Sequence, residues 1–300
     1  MISVIIPTYN NVKQLINTIE NVCDQNYKDI EIIIIDDNST DETKNKILNL
    51  HNDKIKYYKN PENLGVSQSR IMGVKKTSGK YVAFIDDDDI WINDKLSKQY
   101  RLMEEKNLDF VTSNYIINNM RDHMTCEKSL ENYGNNFQEF IVRSPGPFFQ
   151  CCLFSSIFLK KHINKLDSGA EPSEDWDFFI LISKANPLIE NINENLFQWN
   201  LSSQSQSSNA YKESCAIEYI INKHKEYIII NSSKSVMACH YRRVGSLFFY
   251  ANQYGRAKQY YNKAFRCNVL SFKNIIFKII YSLPEKISSK IIYKYTSPIQ

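Results

Sequence analysis

Ser3–Pro7 is a short β-branched run, and its pattern predicts a strand that ends in the loop Thr8-Tyr9-Asn10-Asn11. Val12, Leu15, Ile16, Ile19, Val22 and Cys23 then recur at helical spacing. Ile30–Ile35 is apolar except for Glu31, and its four closing isoleucines suit a strand buried on both faces of a parallel sheet. Asn38-Ser39-Thr40-Asp41 reads as a helix start with Ser39 or Thr40 as cap. Ile55–Lys59 predicts a third strand, Asn63-Leu64-Gly65 a turn, and Ser67–Lys76 a helix closed by Gly79. Tyr81–Ile85 is a fourth strand. Strand and helix alternate, which implies a parallel, doubly wound sheet.

Beyond Asp94 the pattern gives a helix to about Lys106 and a strand over Asp109–Tyr115. Ile117–Asn136 is polar and turn-rich with no clear period, and Ser144-Pro145-Gly146-Pro147 reads as a rigid turn. Phe148–Leu159, with Cys151-Cys152, is apolar enough to be core. Asp175–Ala185 has helical spacing through Trp176, Phe179, Ile180 and Ile182. Asn200–Asn209, rich in Ser and Gln, reads as a flexible loop and a candidate domain boundary. The chain beyond Glu213 is helical in pattern. Gly245–Asn268 carries the spacing of one tetratricopeptide helix pair, which cannot bury its face alone and is expected to pack on the main domain.

Composition narrows this picture little. The 300 residues suffice for one large α/β domain with an appendage, or for two small domains. An apolar content of 43% with 23% charged residues is that of a soluble globular protein, and a net charge of +4 makes no case for nucleic-acid binding. Seven cysteines form an odd set without CxxC spacing, and Met1–Pro7 lacks the basic region and cleavage site of a signal peptide. Reduced thiols in a cytoplasmic protein are therefore expected. No apolar stretch approaches the roughly 20 residues that span a bilayer. The five histidines have no zinc-ligand spacing. Ser271–Gln300 mixes isoleucine pairs with Lys273, Lys278, Lys286, Lys290 and Lys294, opposed only by Glu285. Such a tail suits either the surface of an anionic membrane or a helical cap on the catalytic domain.

The candidate chemistry lies at two strand ends. Asp86, Asp87, Asp88 and Asp89 follow the strand Tyr81–Ile85 directly. Four adjacent carboxylates repel one another, so they call for a cation or a polyphosphate–cation pair. Oxygen-only ligands suit Mg²⁺ or Mn²⁺. Asp36-Asp37 ends the strand over Ile32–Ile35, and in a parallel sheet both acidic groups meet at the carboxyl edge. The bland alternatives are solvated loops and helix caps, and for Glu174-Asp175 an acidic first turn. Ile90 stands where a phosphoryl-transfer Asp-x-Asp-x-Thr would have Thr, and no GxGxxG follows the first strand.

With Val4-Ile5-Ile6-Pro7-Thr8-Tyr9-Asn10, Ile35-Asp36-Asp37-Asn38-Ser39-Thr40-Asp41, Asn63-Leu64-Gly65 and Phe84-Ile85-Asp86-Asp87-Asp88-Asp89, the sequence resembles the family 2 glycosyltransferases. These are inverting, nucleotide-sugar-dependent enzymes of the GT-A fold. The motifs stand in the family's order over about the first 110 residues, Glu174-Asp175-Trp176-Asp177 resembles its acidic acceptor-site motif, and the likeness fades beyond about residue 210. The resemblance implies an α/β, mostly parallel sheet flanked by helices. A GT-A domain would span 1–210, with a nucleotide-binding half 1–110 and an acceptor half 111–210, followed by a helical region 211–300.

It also implies roles. Asp86 and Asp88 would hold the Mn²⁺ or Mg²⁺ that bridges the donor phosphates, while Asp87 could reach the ribose. Asp37, beside Asp36, would accept from N3–H of uracil or thymine, and Pro7-Thr8-Tyr9 would line the nucleotide pocket. Arg70 would support the phosphates; read without the family, it is a surface residue of an amphipathic helix. Asp175 would be the general base, desolvated by Trp176, Phe178 and Phe179, with Glu174 and Trp176 at the acceptor. Phe148-Phe149 and Trp176 are candidates to stack on a sugar. Two departures stand out. Leu196-Phe197-Gln198-Trp199-Asn200 has neither the Arg nor the His that family members often carry in a closing loop, and Leu166–Ala170 replaces a common Gly-Phe-Asp. The implied partners are a nucleotide-sugar donor, a UDP-sugar by analogy, and a saccharide or lipid-linked acceptor in bacterial surface-polysaccharide, lipopolysaccharide or glycoprotein assembly. A scaffold of the same fold that binds sugar or nucleotide without turnover is the alternative.

Overall fold

The computed structural model describes residues 1–300 except 120–123, 131–135, 145, 202–208, 282, 284–287, 289, 290 and 292–300. The chain divides into two compact units: Met1–Ile141, Pro145–Ser168 and Glu174–Ser203 form the first, and Val142–Ser144, Gly169–Ser173 and Gln204–Gln300 the second.

In the first unit the order is β1 (Ile2–Thr8), α1 (Val12–Cys23), β2 (Ile30–Asp36), α2 (Thr43–Leu48), β3 (Ile55–Lys59), α3 (Val66–Lys76), β4 (Tyr81–Phe84), β5 (Ile90–Trp91), α4 (Lys95–Lys106), β6 (Phe110–Asn119) and β7 (Met124–Lys128). After α5 (Phe137–Arg143), whose last residues pass into the second unit, come β8 (Leu153–Ser155), α6 (Ser156–His162), α7 (Glu174–Ser183) and β9 (Ile189–Leu201). Among the described residues the sheet has nine strands, ordered β3-β2-β1-β4-β8-β6-β9-β5 with β7 on β6. The first four are parallel, as the alternating pattern implies, because β1, β2 and β4 are buried along their whole length. Beyond β4 the sheet is mixed: β8 is antiparallel to β4 and β6, and β9 is parallel to β6. An aromatic cluster of Phe84, Phe110, Phe149, Phe154, Phe178 and Phe179 fills the core behind it.

Several sequence expectations need correction. The stretch Ile117–Asn136 holds the end of β6 and all of β7. β7 lies exposed against β6, so burial imposes no apolar alternation on it. Leu196–Asn200 belongs to β9, a 13-residue strand whose pairing shifts register twice opposite Ser113–Tyr115, which breaks the two-residue period. Residues 202–208 of the expected Asn200–Asn209 loop lie outside the described residues, as does Pro145 of the expected rigid turn. Ser39 and Thr40 do not cap α2, which starts at Thr43. Their amides bond instead to Asp36 Oδ1 and Asn10 Oδ1, each at 2.7 Å. Gly79 does not close α3, which ends at Lys76. It stands against β1, where a Cβ would lie 2.8 Å from the Ser3 amide nitrogen.

The second unit is helical: α8 (Ala210–Lys223), α9 (Lys225–Ile230), α10 (Lys234–Tyr250), α11 (Tyr254–Cys267) and α12 (Phe272–Ile280). α10 and α11 pack as the spacing from Gly245 implies. Gly245 lies where a Cβ would meet the Tyr261 ring at 2.9 Å, and Tyr260 packs on Tyr241 and Phe248. No helix among the described residues is long and apolar enough to cross a membrane. Most of the basic tail beyond Tyr281 lies outside the described residues.

Candidate active site

The carboxyl ends of β1, β2 and β4 finish together. Thr8 pairs with Asp36, the Asp37 amide donates to the Thr8 carbonyl at 2.8 Å, and the Ile85 amide to the Ile5 carbonyl at 3.1 Å. The two acidic groups therefore share one sheet edge. Asp37 sits at the start of α3: Oδ1 accepts from Asn60 Nδ2 (2.7 Å) and Leu64 N (2.9 Å), and Oδ2 from Gly65 N (2.8 Å). Gly65 has φ +87°, which the turn into the helix needs and a side chain would resist. A carboxylate offers about four acceptor sites, so Asp37 keeps one for a ligand. Asp36 does not fit a nucleotide contact. It is fully buried, accepting from the Ser39 amide and the Tyr57 hydroxyl, and exposes no surface to a ligand. Pro7 is likewise buried inside β1, and the Thr8 hydroxyl is turned to Asp87, while Tyr9 is exposed at the rim.

Within the aspartate run each side chain has a different fate. Asp87 is held by Thr8 Oγ1 (2.5 Å) and Asn11 Nδ2 (2.8 Å). Burial nevertheless lifts it to about 7, with Asp88 and Asp86 adding to the rise. Asp89 is buried and pushed well up by burial and by Asp86 and Asp88; its Oδ1 accepts from the Asn200 amide at 3.0 Å. Asn200 Nδ2 also donates to the Asp88 carbonyl at 2.7 Å, so the end of β9 pins this loop. Asp86 faces Arg70 Nη2 at 2.9 Å and also accepts from Gln150 Nε2. The Asp88 carboxylate meets no donor from another side chain among the described residues, and burial with the neighbouring Asp86 raises it to about 6.

Arg70 is no surface residue. It is buried, lies 5.0 Å from the centre of the Phe149 ring, and bonds across the site to the first turn of α7. Nη1 is 2.6 Å from Glu174 Oε1 and 3.3 Å from Asp175 Oδ1. One guanidinium thus joins a carboxylate of the aspartate run to two on α7. Asp175 Oδ2 also accepts from the Phe149 amide at 3.2 Å. Burial raises Asp175 to about 8 against the pull of Arg70, and Glu174 and Asp86 push the same way as burial. Trp176 is not placed for an acceptor. It is buried, with its indole donating to the Ile141 carbonyl at 2.8 Å, and Phe178 and Phe179 are core. Asn11, Gln150 and Asn200 are site residues that the sequence reading missed, since a single amide side chain carries no motif.

The donor set fits a divalent ion that takes most of its shell from elsewhere. Among the described residues no three or more His, Cys, Asp or Glu side chains are grouped to hold a metal by themselves. Asp88 is nonetheless a carboxylate lacking a counter-charge, and a magnesium-like ion commonly uses one or two carboxylates with substrate phosphates and water.

A sequence profile described as Glycosyl transferase family 2 matches residues 3–165, more than half of the chain. The chain belongs to glycosyl transferase family 2. Among curated relatives, it is 38% identical over 120 residues to the Escherichia coli UDP-Glc:alpha-D-GlcNAc-diphosphoundecaprenol beta-1,3-glucosyltransferase WfgD, covering 40% of this chain and 47% of that one. An uncharacterized glycosyltransferase of Rickettsia bellii is 40% identical over 114 residues, 38% of this chain and 16% of its own length. The chain thus spans less than half the length of these family members. Among solved structures, S. aureus TarS 1-349 in complex with UDP-GlcNAc superposes with a TM-score of 0.67 at 16% identity, over 98% of this chain and 89% of that chain. The mannosyltransferase PcManGT from Pyrobaculum calidifontis, in complex with GDP-Man and Mn²⁺, gives 0.58 at 13% identity, over 98% and 87%. At those identities the likeness speaks for the fold, which is the GT-A fold expected of the family.

Proposed function

We propose that the chain is a glycosyltransferase that moves a sugar from a nucleoside-diphosphate sugar to an acceptor hydroxyl with inversion. The observation that carries this is Asp175: a buried carboxylate raised to about 8, tied through Arg70 to Asp86 at the strand edge. In the reaction the acceptor oxygen bonds to the anomeric carbon as the bond from that carbon to the diphosphate oxygen breaks. The leaving electron pair goes with the diphosphate, and Asp175 takes the hydroxyl proton. Arg70 orients Asp175 and carries positive charge to the side where the phosphates lie. Asp37 Oδ2 accepts from the base, Tyr9 covers it from the rim, Asp87 faces the ribose and Glu174 borders the acceptor.

Asp88, with Asp86 beside it, would hold Mn²⁺ or Mg²⁺, which when bound offsets charge on the departing diphosphate. A UDP-sugar donor is supported by the relative that uses UDP-Glc and the neighbour solved with UDP-GlcNAc. The former's diphosphoundecaprenol acceptor supports a lipid-linked saccharide and a place in bacterial surface-polysaccharide synthesis. The first unit would be the catalytic domain and the second its helical appendage.

Calorimetry with UDP, GDP, dTDP and their sugars, with and without Mn²⁺, tests the reading on wild type and Asp88→Asn. Metal-dependent binding of one nucleotide, weakened at least tenfold by the substitution (about 1.4 kcal/mol), is expected. Binding of no nucleotide under any condition overturns it. Binding without donor turnover in any acceptor extract would favour the non-catalytic scaffold.

A further inference from the structure

α12 packs inward through Asn274 and Phe277 and leaves most of its other apolar residues exposed. Asn274 is its one buried residue, and its amide nitrogen donates to the carbonyls of Asn268 (2.7 Å) and Ala264 (3.1 Å) while its oxygen accepts from Arg242. Phe277 stacks on Tyr261 with ring centres 5.0 Å apart, and Tyr281 stacks on the same ring at 4.0 Å. These contacts fix the inner face. At about 100° per residue, Phe272, Ile275, Ile276 and Ile279 fall on the opposite side. Phe272 is 75% exposed and Ile279 57%, and Leu270 just before the helix is 89% exposed. Val269 and Leu283 extend the patch at either end. On the same helical wheel Lys273 and Lys278 flank the apolar stripe, Lys278 with its ammonium 3.9 Å from the centre of the Phe265 ring. No Asp or Glu occurs from Val269 to Leu283.

We propose that α12 seats on the surface of an anionic lipid bilayer. The stripe enters the boundary between headgroups and acyl chains, Lys273 reaches lipid phosphates on one side, and Lys278 does so on the other by leaving its contact with the Phe265 ring. The charge pattern selects lipid over a second copy of this chain. An isologous dimer through this face would bring the lysines of both copies together without an acid between them. A bilayer rich in anionic lipid supplies the counter-charge to both edges at once. The proposal does not rest on glycosyl transfer and is read by a measurement that involves no donor.

The test is flotation of the full chain with vesicles of phosphatidylcholine alone and of phosphatidylcholine mixed with phosphatidylglycerol, at low and high salt. Wild type is expected to float with the anionic vesicles, less at high salt, and hardly with the neutral ones. The triple variant Phe272→Ser, Ile276→Ser, Ile279→Ser changes only exposed side chains, so its circular dichroism and unfolding midpoint should match wild type while its partition falls at least tenfold. Lys273→Glu with Lys278→Glu should lower the partition by about 25-fold or more. No flotation with anionic vesicles at low salt overturns the proposal, as does flotation that the triple variant leaves unchanged. A dimer seen by light scattering that the triple variant dissolves, without vesicle binding, would assign the face to a second copy instead.

Discussion

Arg70 faces Asp86, Glu174 and Asp175 with a single positive charge, and burial makes the imbalance felt because water cannot screen it. Burial itself is the largest cause of the rise of Asp175 to about 8, opposed by Arg70 and helped by Glu174 and Asp86. A carboxylate in that range is a stronger base than an ordinary aspartate and must lose its proton before it can accept one from the acceptor. For the free enzyme, kcat/KM is therefore expected to rise about tenfold per pH unit below that value and to level off above it. Asp175→Asn should remove the rise and lower kcat by about 10² to 10⁴, with donor binding by calorimetry unchanged. Glu174→Gln is the finer probe. It deletes one of the negative charges that push Asp175 upward, so the acid limb should move to lower pH. A limb that stays put would mean that another group titrates there. Asp88 is read the same way: its rise to about 6 comes from burial and Asp86, and a bound cation would reverse it.

What the sequence disclosed at the level of elements follows from burial. β1, β2 and β4 are buried throughout, so their apolar runs stop sharply at Thr8, Asp36-Asp37 and Asp86, and those stops mark the sheet edge. β7 and β9 gave no such signal, one because it is exposed and the other because its register shifts. Trp176 was legible as helical but its direction was not. α7 is buried from Glu174 through Ile180, so no outer face separates acceptor-side residues from core. Nor could the pattern find Asn200, whose side chain matters only because β9 ends beside the aspartate run. Asn200 bonds the Asp88 carbonyl and the Asp89 carboxylate, and its Oδ1 accepts from Asn118 Nδ2 (3.0 Å) and Gln198 Nε2 (2.9 Å). The Asp89 bond comes from the Asn200 backbone amide and survives substitution, whereas the Asp88 carbonyl and the side-chain amides of Asn118 and Gln198 lose their partner. Asn200→Ala should cost about 1–3 kcal/mol in unfolding free energy and weaken metal-dependent nucleotide binding. Unchanged binding alongside lost stability would confine Asn200 to the fold.

Across the whole molecule the same carboxylates give stability a sign opposite to that of salt-bridged acids. Asp87 (about 7), Asp88 (about 6) and Asp175 (about 8) are all raised, and Asp89 is raised well above the usual range. The folded protein keeps protons that the unfolded chain releases above about pH 4. Unfolding free energy must then fall as pH climbs from about 4 to about 8, since the native state binds more protons over that window. Burial lowers His240 to about 4 and Lys95 to about 7, so each opposes this trend by one proton over part of the window, fewer than the raised carboxylates supply. Glu31 does not cancel it either. Burial pushes it up but is outweighed by bonds from Lys56, Ser3 and Ser78, which bring it to about 2, so its contribution is lost only at lower pH as acid is added. The thermal midpoint of the metal-free protein should accordingly drop between about pH 5 and pH 8. Mn²⁺ with UDP should raise it, by the midpoint equivalent of about 2.7 kcal/mol at a ligand concentration of about 100 Kd. That increment should be larger at pH 8 than at pH 5, because the carboxylates must be ionised to meet the cation. Asp88→Asn should flatten the pH slope and remove most of the increment. A midpoint that rises with pH in the absence of metal would show that the acidic edge is already neutralised within the chain, and the case for a cation there would lapse.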